Sequence, residues 1–425
     1  MENPLEVPNN FFGIHIVNES DLEKARDLVN SSGGDWGYIT LVIREDERDI
    51  SRWQGVFDKM RQMHLVPIVR IATVNENGGW QKPNPGGIDN WVSFLNSLNW
   101  VIKNRYVIIG NEPNHAKEWG GQVNPGEYGT YLVEFSQKLK QKSPDFFVLP
   151  AGLDASAHYS KTTLPEDIFL RQVVKTKPDF FEHIDGWNSH SYPNPGFAGS
   201  PEAVGRGTLT TFTWELEFIK SLGVKKELPI FITETGWVHN QEGKVLGLEN
   251  TQNIGDKFKI AFTKVWQNEK IVAVTPFILN YQEEPFSFFS WLKPSGEYYD
   301  FYREVQALPK KSGNPKQITQ AKLLSVSTFE VGRKTFGTLV MENTGQSIWA
   351  KNELKLFEKD GSFGKINSVY EDIKPGKKAV FFLETTSSQV NILRGSEILT
   401  EFTFPQKPSF KTPWQSLMEF LASIW

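Results

Sequence analysis

Short, nearly continuous apolar runs alternate with longer stretches whose apolar residues recur three and four positions apart. The runs lie at 11–17 (FFGIHIV), 38–43 (YITLVI), 65–72 (LVPIVRIA), 106–110 (YVIIG), 146–152 (FFVLPAG), 183–190 (HIDGWNSH), 228–234 (LPIFITE) and 272–280 (VAVTPFILN). Short apolar runs bounded by turn residues read as strands buried on both faces. The stretches between them read as amphipathic helices at 21–30, 51–62, 88–103, 124–142, 163–175, 211–222 and 251–268, with a short eighth at 298–307. The segment 124–142 carries the fullest set of signals. Asn124 can cap, Pro125 suits the first turn and Glu127 sits three residues after the cap. Tyr128, Tyr131, Leu132, Phe135 and Leu139 then share one face.

Eight strands alternating with eight helices predict a (β/α)₈ barrel over residues 9–307. Such a barrel usually takes about 250 residues, so insertions are expected. The loops after strands three (NENGGWQKPNPGG) and eight (QEEPFSFFSWLKPSGEYY) are the evident ones. An open doubly wound sheet would show a glycine-rich phosphate turn after its first strand, and HIVNESD has none.

At 308–317 (LPKKSGNPKQ) the alternation stops and the composition becomes that of a linker. Residues 318–405 hold short strand-like runs separated by NTG, KDG and KPGK, the pattern of a small all-β, immunoglobulin-sized sandwich. The tail, 406–425, places Trp414, Leu417, Met418, Leu421, Ile424 and Trp425 on one helical face. It is expected to dock back on the protein; interfacial membrane or cell-surface attachment is the alternative.

Composition narrows the function. The 425 residues are 39% hydrophobic and 23% charged, with a net charge of -4, so nucleic acid is not an expected partner. Without cysteine there is no disulfide, thiolate catalysis or cysteine-bound zinc. The start, MENPLEVPNN, shows neither the basic nor the apolar part of a signal peptide. Aromatic residues reach 13%, including 14 tryptophans, and flat amphipathic rings are what sugars stack on.

In a (β/α)₈ barrel the C-terminal strand ends form the active site. Here those ends carry His15, Arg44, Arg70, Asn111 with Glu112, His190 with Tyr192, and Glu234. Two carboxylates on one rim suit glycosidic bond cleavage: one protonates the poor leaving oxygen, the other meets the oxocarbenium-like carbon. Glu112 would hold the proton, and Glu234 would stay ionised with help from Arg44 and the Tyr192 hydroxyl.

The motifs GNEPN at strand four, HSYP at strand six and ITETGW at strand seven resemble those of glycoside hydrolase clan A. This superfamily of retaining (β/α)₈ enzymes includes cellulases, mannanases and β-1,3-glucanases. The resemblance covers the barrel and implies Glu112 as acid/base, Glu234 as nucleophile and Asn111 as the ligand of the sugar 2-hydroxyl. It also implies that Tyr192 orients Glu234, that His190 lines the same subsite and that Arg44 is the strand-two arginine. The chain departs from the pattern at strand eight, where TPFILNYQ lacks the usual tryptophan and Trp291 follows only later.

Ordinary structural readings stand beside these. Arg44 lies in REDER, which also reads as a solvated charge run. Arg70 and His15 also suit structural ion pairs. Trp80, Trp119, Trp237 and Trp291 fall in loops of the expected active face, where one or two would stack on sugar rings. His64, His158 and His183 lack metal-site spacing. The resulting expectation is a monomeric retaining glycosidase without metal or cofactor, acting on a polysaccharide or oligosaccharide. It would be an endo-acting β-glucanase or β-mannanase, located outside the cell or at its surface by analogy of substrate. A transglycosylase uses the same residues, and a non-catalytic carbohydrate-binding barrel is the alternative from another class.

Overall fold

A computed structural model describes residues 1–76, 78–239 and 250–404. It divides into one compact unit, Met1–Gln317, and a second beginning at Ile318. The first is a (β/α)₈ barrel. Its strands are β1 (Gly13–Ile16), β2 (Gly37–Arg44), β3 (Leu65–Ala72), β4 (Arg105–Ile109), β5 (Phe146–Pro150), β6 (Trp187–His190), β7 (Ile230–Glu234) and β8 (Ile271–Val274). The helices between and after them are α1 (Leu22–Val29), α2 (Ile50–Gln62), α3 (Ile88–Ser97), α4 (Pro125–Lys142), α5 (Glu166–Thr176), α6 (Thr211–Ser221), α7 (Thr251–Ile260) and α8 (Asp300–Ala307).

All neighbouring strands run parallel, β1 through β5 in one ladder and β6 through β8 in another. Two single parallel bridges close the ring: Asp154 to His190 beyond the end of β5, and Phe12 to Val274 between β1 and β8. Near the strand starts, Tyr106 of β4 meets the rings of Phe147 and Phe231 at 5.1 Å each. This aromatic layer fills the N-terminal part of the barrel, so polar chemistry collects at the other end.

Helix α4 forms as its pattern predicts. Asn124 accepts from the Glu127 backbone N–H at 3.1 Å and donates to the Glu127 carboxylate at 3.0 Å. The predicted face is buried. Helix α3 is shorter than expected, because Leu98 turns to extended backbone. The stretch 308–317 is tied to the barrel: Lys310, Gly313 and Asn314 donate backbone bonds to Ser32, Asp35 and Pro8 at 3.1, 2.9 and 2.8 Å.

The second unit is all antiparallel. Its strands are β9 (Ala321–Val331), β10 (Lys334–Asn343), β11 (Leu354–Glu358), β12 (Phe363–Ser368), β13 (Lys378–Thr385), β14 (Gln389–Arg394) and β15 (Glu397–Thr403), in the order β9-β10-β13-β12-β11-β14-β15. Strand β12 pairs with both β13 and β11 and so joins the two halves of the sheet. Leu339, Phe381 and Leu383 from one half and Leu356, Val390 and Ile392 from the other share one core. The expected tail helix, 406–425, lies outside the described residues. Among the described residues no helix is long and apolar enough to cross a membrane.

Candidate active site

The site is built where β3, β4, β6 and β7 end. Strand β4 leaves the barrel through Gly110, at φ +90°, and Glu112, at φ +31°. A non-glycine residue in the left-handed region is strained and persists only where its surroundings hold it. Here the Glu112 N–H donates to the Gly152 carbonyl at 3.1 Å, and its own carbonyl accepts from His115 at 2.8 Å. Gly152 has a further reason to be glycine: a Cβ there would collide with the His190 ring. The loop after β5 can therefore pass directly behind His190.

His190 and Glu234 are register partners on β6 and β7. The His190 Nδ1 lies 2.9 Å from Glu112 Oε1 and 3.7 Å from Glu234 Oε2. One carboxylate oxygen from each glutamate and a ring nitrogen of His190 all fall within 4.8 Å of one another. Arg70, on β3, donates from Nη1 to Glu234 Oε1 at 2.7 Å and to Asn111 Oδ1. Tyr192 donates its hydroxyl to Glu234 Oε2 at 3.2 Å. Asn111 donates from Nδ2 to Glu118 Oε2 at 3.0 Å.

The charges in this cluster settle one another. Burial alone would raise the Glu234 pKa, but the positive charges of His190 and Arg70 outweigh it and hold the carboxyl below its usual value. Burial alone would lower the His190 pKa; Glu234 and Glu112 reverse that, and the net shift is upward. Burial pushes the Tyr192 phenol well up, and the two carboxylates add to it, so it remains a donor. Burial, with the Arg70 charge beside it, pushes His15 down to about 3, so its ring is neutral. Glu112, His190 and Glu234 are a donor set that a cation could use. The Arg70 guanidinium, 2.7 Å from Glu234, already offsets part of the negative charge there.

The structure brings together Asn111, Glu112, His190, Tyr192, Glu234 and Arg70. His15, at the end of β1, is 1% exposed, and among the described residues neither ring nitrogen has a hydrogen-bond partner. Arg44 is not among them. Its side chain turns outward, 39% exposed, and pairs with Asp46 at 2.6 Å, as a solvated charge run would. Arg70 occupies the place expected of Arg44 beside Glu234. Its signal was present in the sequence, as the one charge inside the apolar run LVPIVRIA.

The tryptophans divide. Trp80 is partly exposed and borders a recess with Thr73, Pro83, Asn111 and Glu118. Trp119 lines that recess too, but it is buried edge-on against Tyr128 and Tyr131. Trp237 donates its indole N–H to the Gly199 carbonyl at 2.8 Å and packs on Phe258, and Trp291 packs on Phe258 and Phe301. At 2% and 1% exposure they offer no ring face to a sugar, so the expected stacking is corrected for both. Two residues escaped the sequence reading. Glu118 belongs to no motif. Phe277, just past β8, sits 5.2 Å from the His15 ring and meets Phe286 and Phe289. It stands where the expected strand-eight tryptophan is missing.

No protein-family model matches the chain, and no curated protein matches it in sequence. Among solved structures, a family 39 glycoside hydrolase from the gut symbiont Bacteroides cellulosilyticus WH2 is 14% identical, at a TM-score of 0.49. The match covers 90% of this chain and 82% of that one. A family 128 endo-β-1,3-glucanase from Sorangium cellulosum is 13% identical at 0.45, covering 71% and 98%. A β-mannanase from Thermomonospora fusca is 14% identical at 0.44, covering 71% and 90%. Likeness at this level assigns neither family nor substrate.

Proposed function

We propose that this protein is a retaining glycosidase that cleaves β-linked glycans by double displacement. The observation that carries the reading is the pairing of Glu112 and Glu234 on one rim, where a single oxygen of each carboxylate comes within 4.8 Å of the other, too close for a water to stand between those two atoms and the sugar. Retaining pairs stand about 5–5.5 Å apart, whereas inverting pairs need about 6.5–9.5 Å to admit a water. Glu234, held ionised by Arg70 and His190 and oriented by Tyr192, attacks the anomeric carbon. Glu112 protonates the departing glycosidic oxygen, then takes a proton from the water that releases the glycosyl-enzyme. Asn111, beside Glu112, is placed to hold a sugar hydroxyl. The insertions after β3 and β8 favour a cleft and an endo-acting enzyme on glucan or mannan.

The test is hydrolysis of soluble β-glucans, mannans and xylans by the full chain, beside Glu234→Gln and Glu112→Gln. Activity on one polymer, lost by several orders of magnitude in Glu234→Gln, with a first product that keeps the β-anomeric configuration, is the expected result. An inverted product would end the retaining assignment. A chain that binds one polymer but cleaves none would make it a carbohydrate-binding protein, and transfer to added sugar acceptors would mark a transglycosylase.

A further inference from the structure

We propose that Glu118 is a positioning residue of this site. It accepts a hydrogen bond from the Asn111 amide, fixes which way that amide faces, and so keeps the Arg70 guanidinium on Glu234. This role rests on the glycosidase reading above and belongs to a residue outside the carboxylate pair.

The two ends of the Asn111 amide meet opposite partners. Asn111 Oδ1 accepts from Arg70 Nη1, the same nitrogen that donates to Glu234 Oε1 at 2.7 Å. Asn111 Nδ2 donates to Glu118 Oε2 at 3.0 Å. Turning the amide over would set its NH₂ against the guanidinium, donor against donor, and its oxygen against the Glu118 carboxylate. Arg70 and Glu118 therefore select a single orientation. That orientation leaves the second Nδ2 hydrogen available for a substrate hydroxyl.

Glu118 is built in rather than loosely placed. It lies on the 3₁₀ turn Ala116–Glu118, tied down by Ala116 N–H to the Thr162 carbonyl at 2.8 Å and Glu118 N–H to the His115 carbonyl at 3.0 Å. Its side chain is 8% exposed, and the ammonium of Lys117, itself 60% exposed, is 3.8 Å away. Enclosing a carboxylate costs desolvation energy that such a distant, solvated cation returns poorly. The directed bond to Asn111 is the specific use to which this carboxylate is put.

The test uses the full chain and dinitrophenyl β-glycosides of cellobiose, laminaribiose, mannobiose and xylobiose. Glu118→Leu, which removes the acceptor, is expected to lower kcat by about 10- to 100-fold with KM nearly unchanged, as small displacements of a catalytic array do. Glu118→Gln keeps an acceptor oxygen and is expected to retain activity within about threefold. Glu118→Asp keeps the charge but withdraws the oxygen. It is expected to fall with the leucine variant, and it decides the matter if that variant does not fold. Adding Glu118→Leu to Asn111→Ala should cost nothing further, since both changes break the same contact. Wild-type rates in Glu118→Leu and Glu118→Asp, an equal loss in Glu118→Gln, or losses that multiply in the double variant would each overturn the assignment. A wild type inert on every glycoside and every polymer removes the glycosidase reading along with this one. An active wild type with an indifferent Glu118 removes this one alone.

Discussion

Arg70 and Glu234 meet through a single contact, Nη1 to Oε1 at 2.7 Å, that joins β3 to β7 across the mouth of the barrel. With His190, this charge holds the Glu234 carboxyl below its usual pKa despite its burial. Taking the positive charge away must move that pKa up. Arg70→Met is therefore expected to shift the acid limb of the kcat/KM profile to higher pH and to lower its plateau by roughly 100-fold or more. Arg44→Ala is expected to change the rate less than about twofold, because that side chain points into solvent. A pH–rate series on both variants checks the pair. Equal losses would mean that Arg44 reaches the substrate after all.

Sequence and structure agree where the information is local. A run such as YVIIG is short, rich in β-branched residues and closed by glycine, so it reads as an interior strand, and the polar residues after it fall at the rim. That is why Glu112 and Glu234 were legible. The cap at Asn124 was equally plain. Arg44 and Arg70 were not separable, because both sit on strands near the rim and only the strand geometry decides which turns inward. The tryptophans failed for a related reason. A loop indole becomes buried or exposed through partners distant in sequence, as Trp237 does through Gly199 and Phe258. Glu118 had no local signal at all, since its meaning lies in a contact with Asn111.

The division among the tryptophans predicts two kinds of defect. Trp237→Ala and Trp291→Ala each empty a packed interior site and are expected to cost about 3–5 kcal/mol of stability. Trp80→Ala is expected to leave stability alone and to raise KM by about tenfold, the worth of one stacked ring. Thermal unfolding and steady-state kinetics on the three variants separate the two effects. If Trp80→Ala keeps a normal KM, Trp80 is no sugar platform.

His15 predicts an acid-labile fold. Burial pushes its pKa from 6.5 down to about 3, so the unfolded chain takes up a proton that the folded chain refuses. A depressed folded value gives stability that is present above pH 6.5 and is lost as pH falls toward 3. At pH 4.5 the loss from this one ring is on the order of 2–3 kcal/mol. His15→Phe keeps a ring of similar size without the titration. Urea unfolding at about pH 7 and about pH 4.5 should show a smaller acid loss in the variant than in the wild type. Equal losses in the two proteins would show that the ring is not held neutral.

Glu166 of α5 and Glu215 of α6 lie side by side, fully buried behind β6 against Trp187 and Ser189. Burial raises both pKa values, and for Glu166 the neighbouring Glu215 charge adds to the effect. The sign is opposite to that of His15. The folded chain keeps protons that the unfolded chain releases, so the stability these carboxyls contribute is complete below about pH 4.5 and is lost as pH rises through their folded values. The pair stands directly behind the strand that carries His190, and its ionisation would press α5 and α6 away from that strand. Glu166→Gln is neutral at every pH and similar in shape. Its unfolding midpoint is expected to exceed that of the wild type at about pH 9, with the advantage shrinking toward about pH 4.5. Parallel stability curves across that range would mean that the two carboxyls do not share a raised proton affinity in the folded protein.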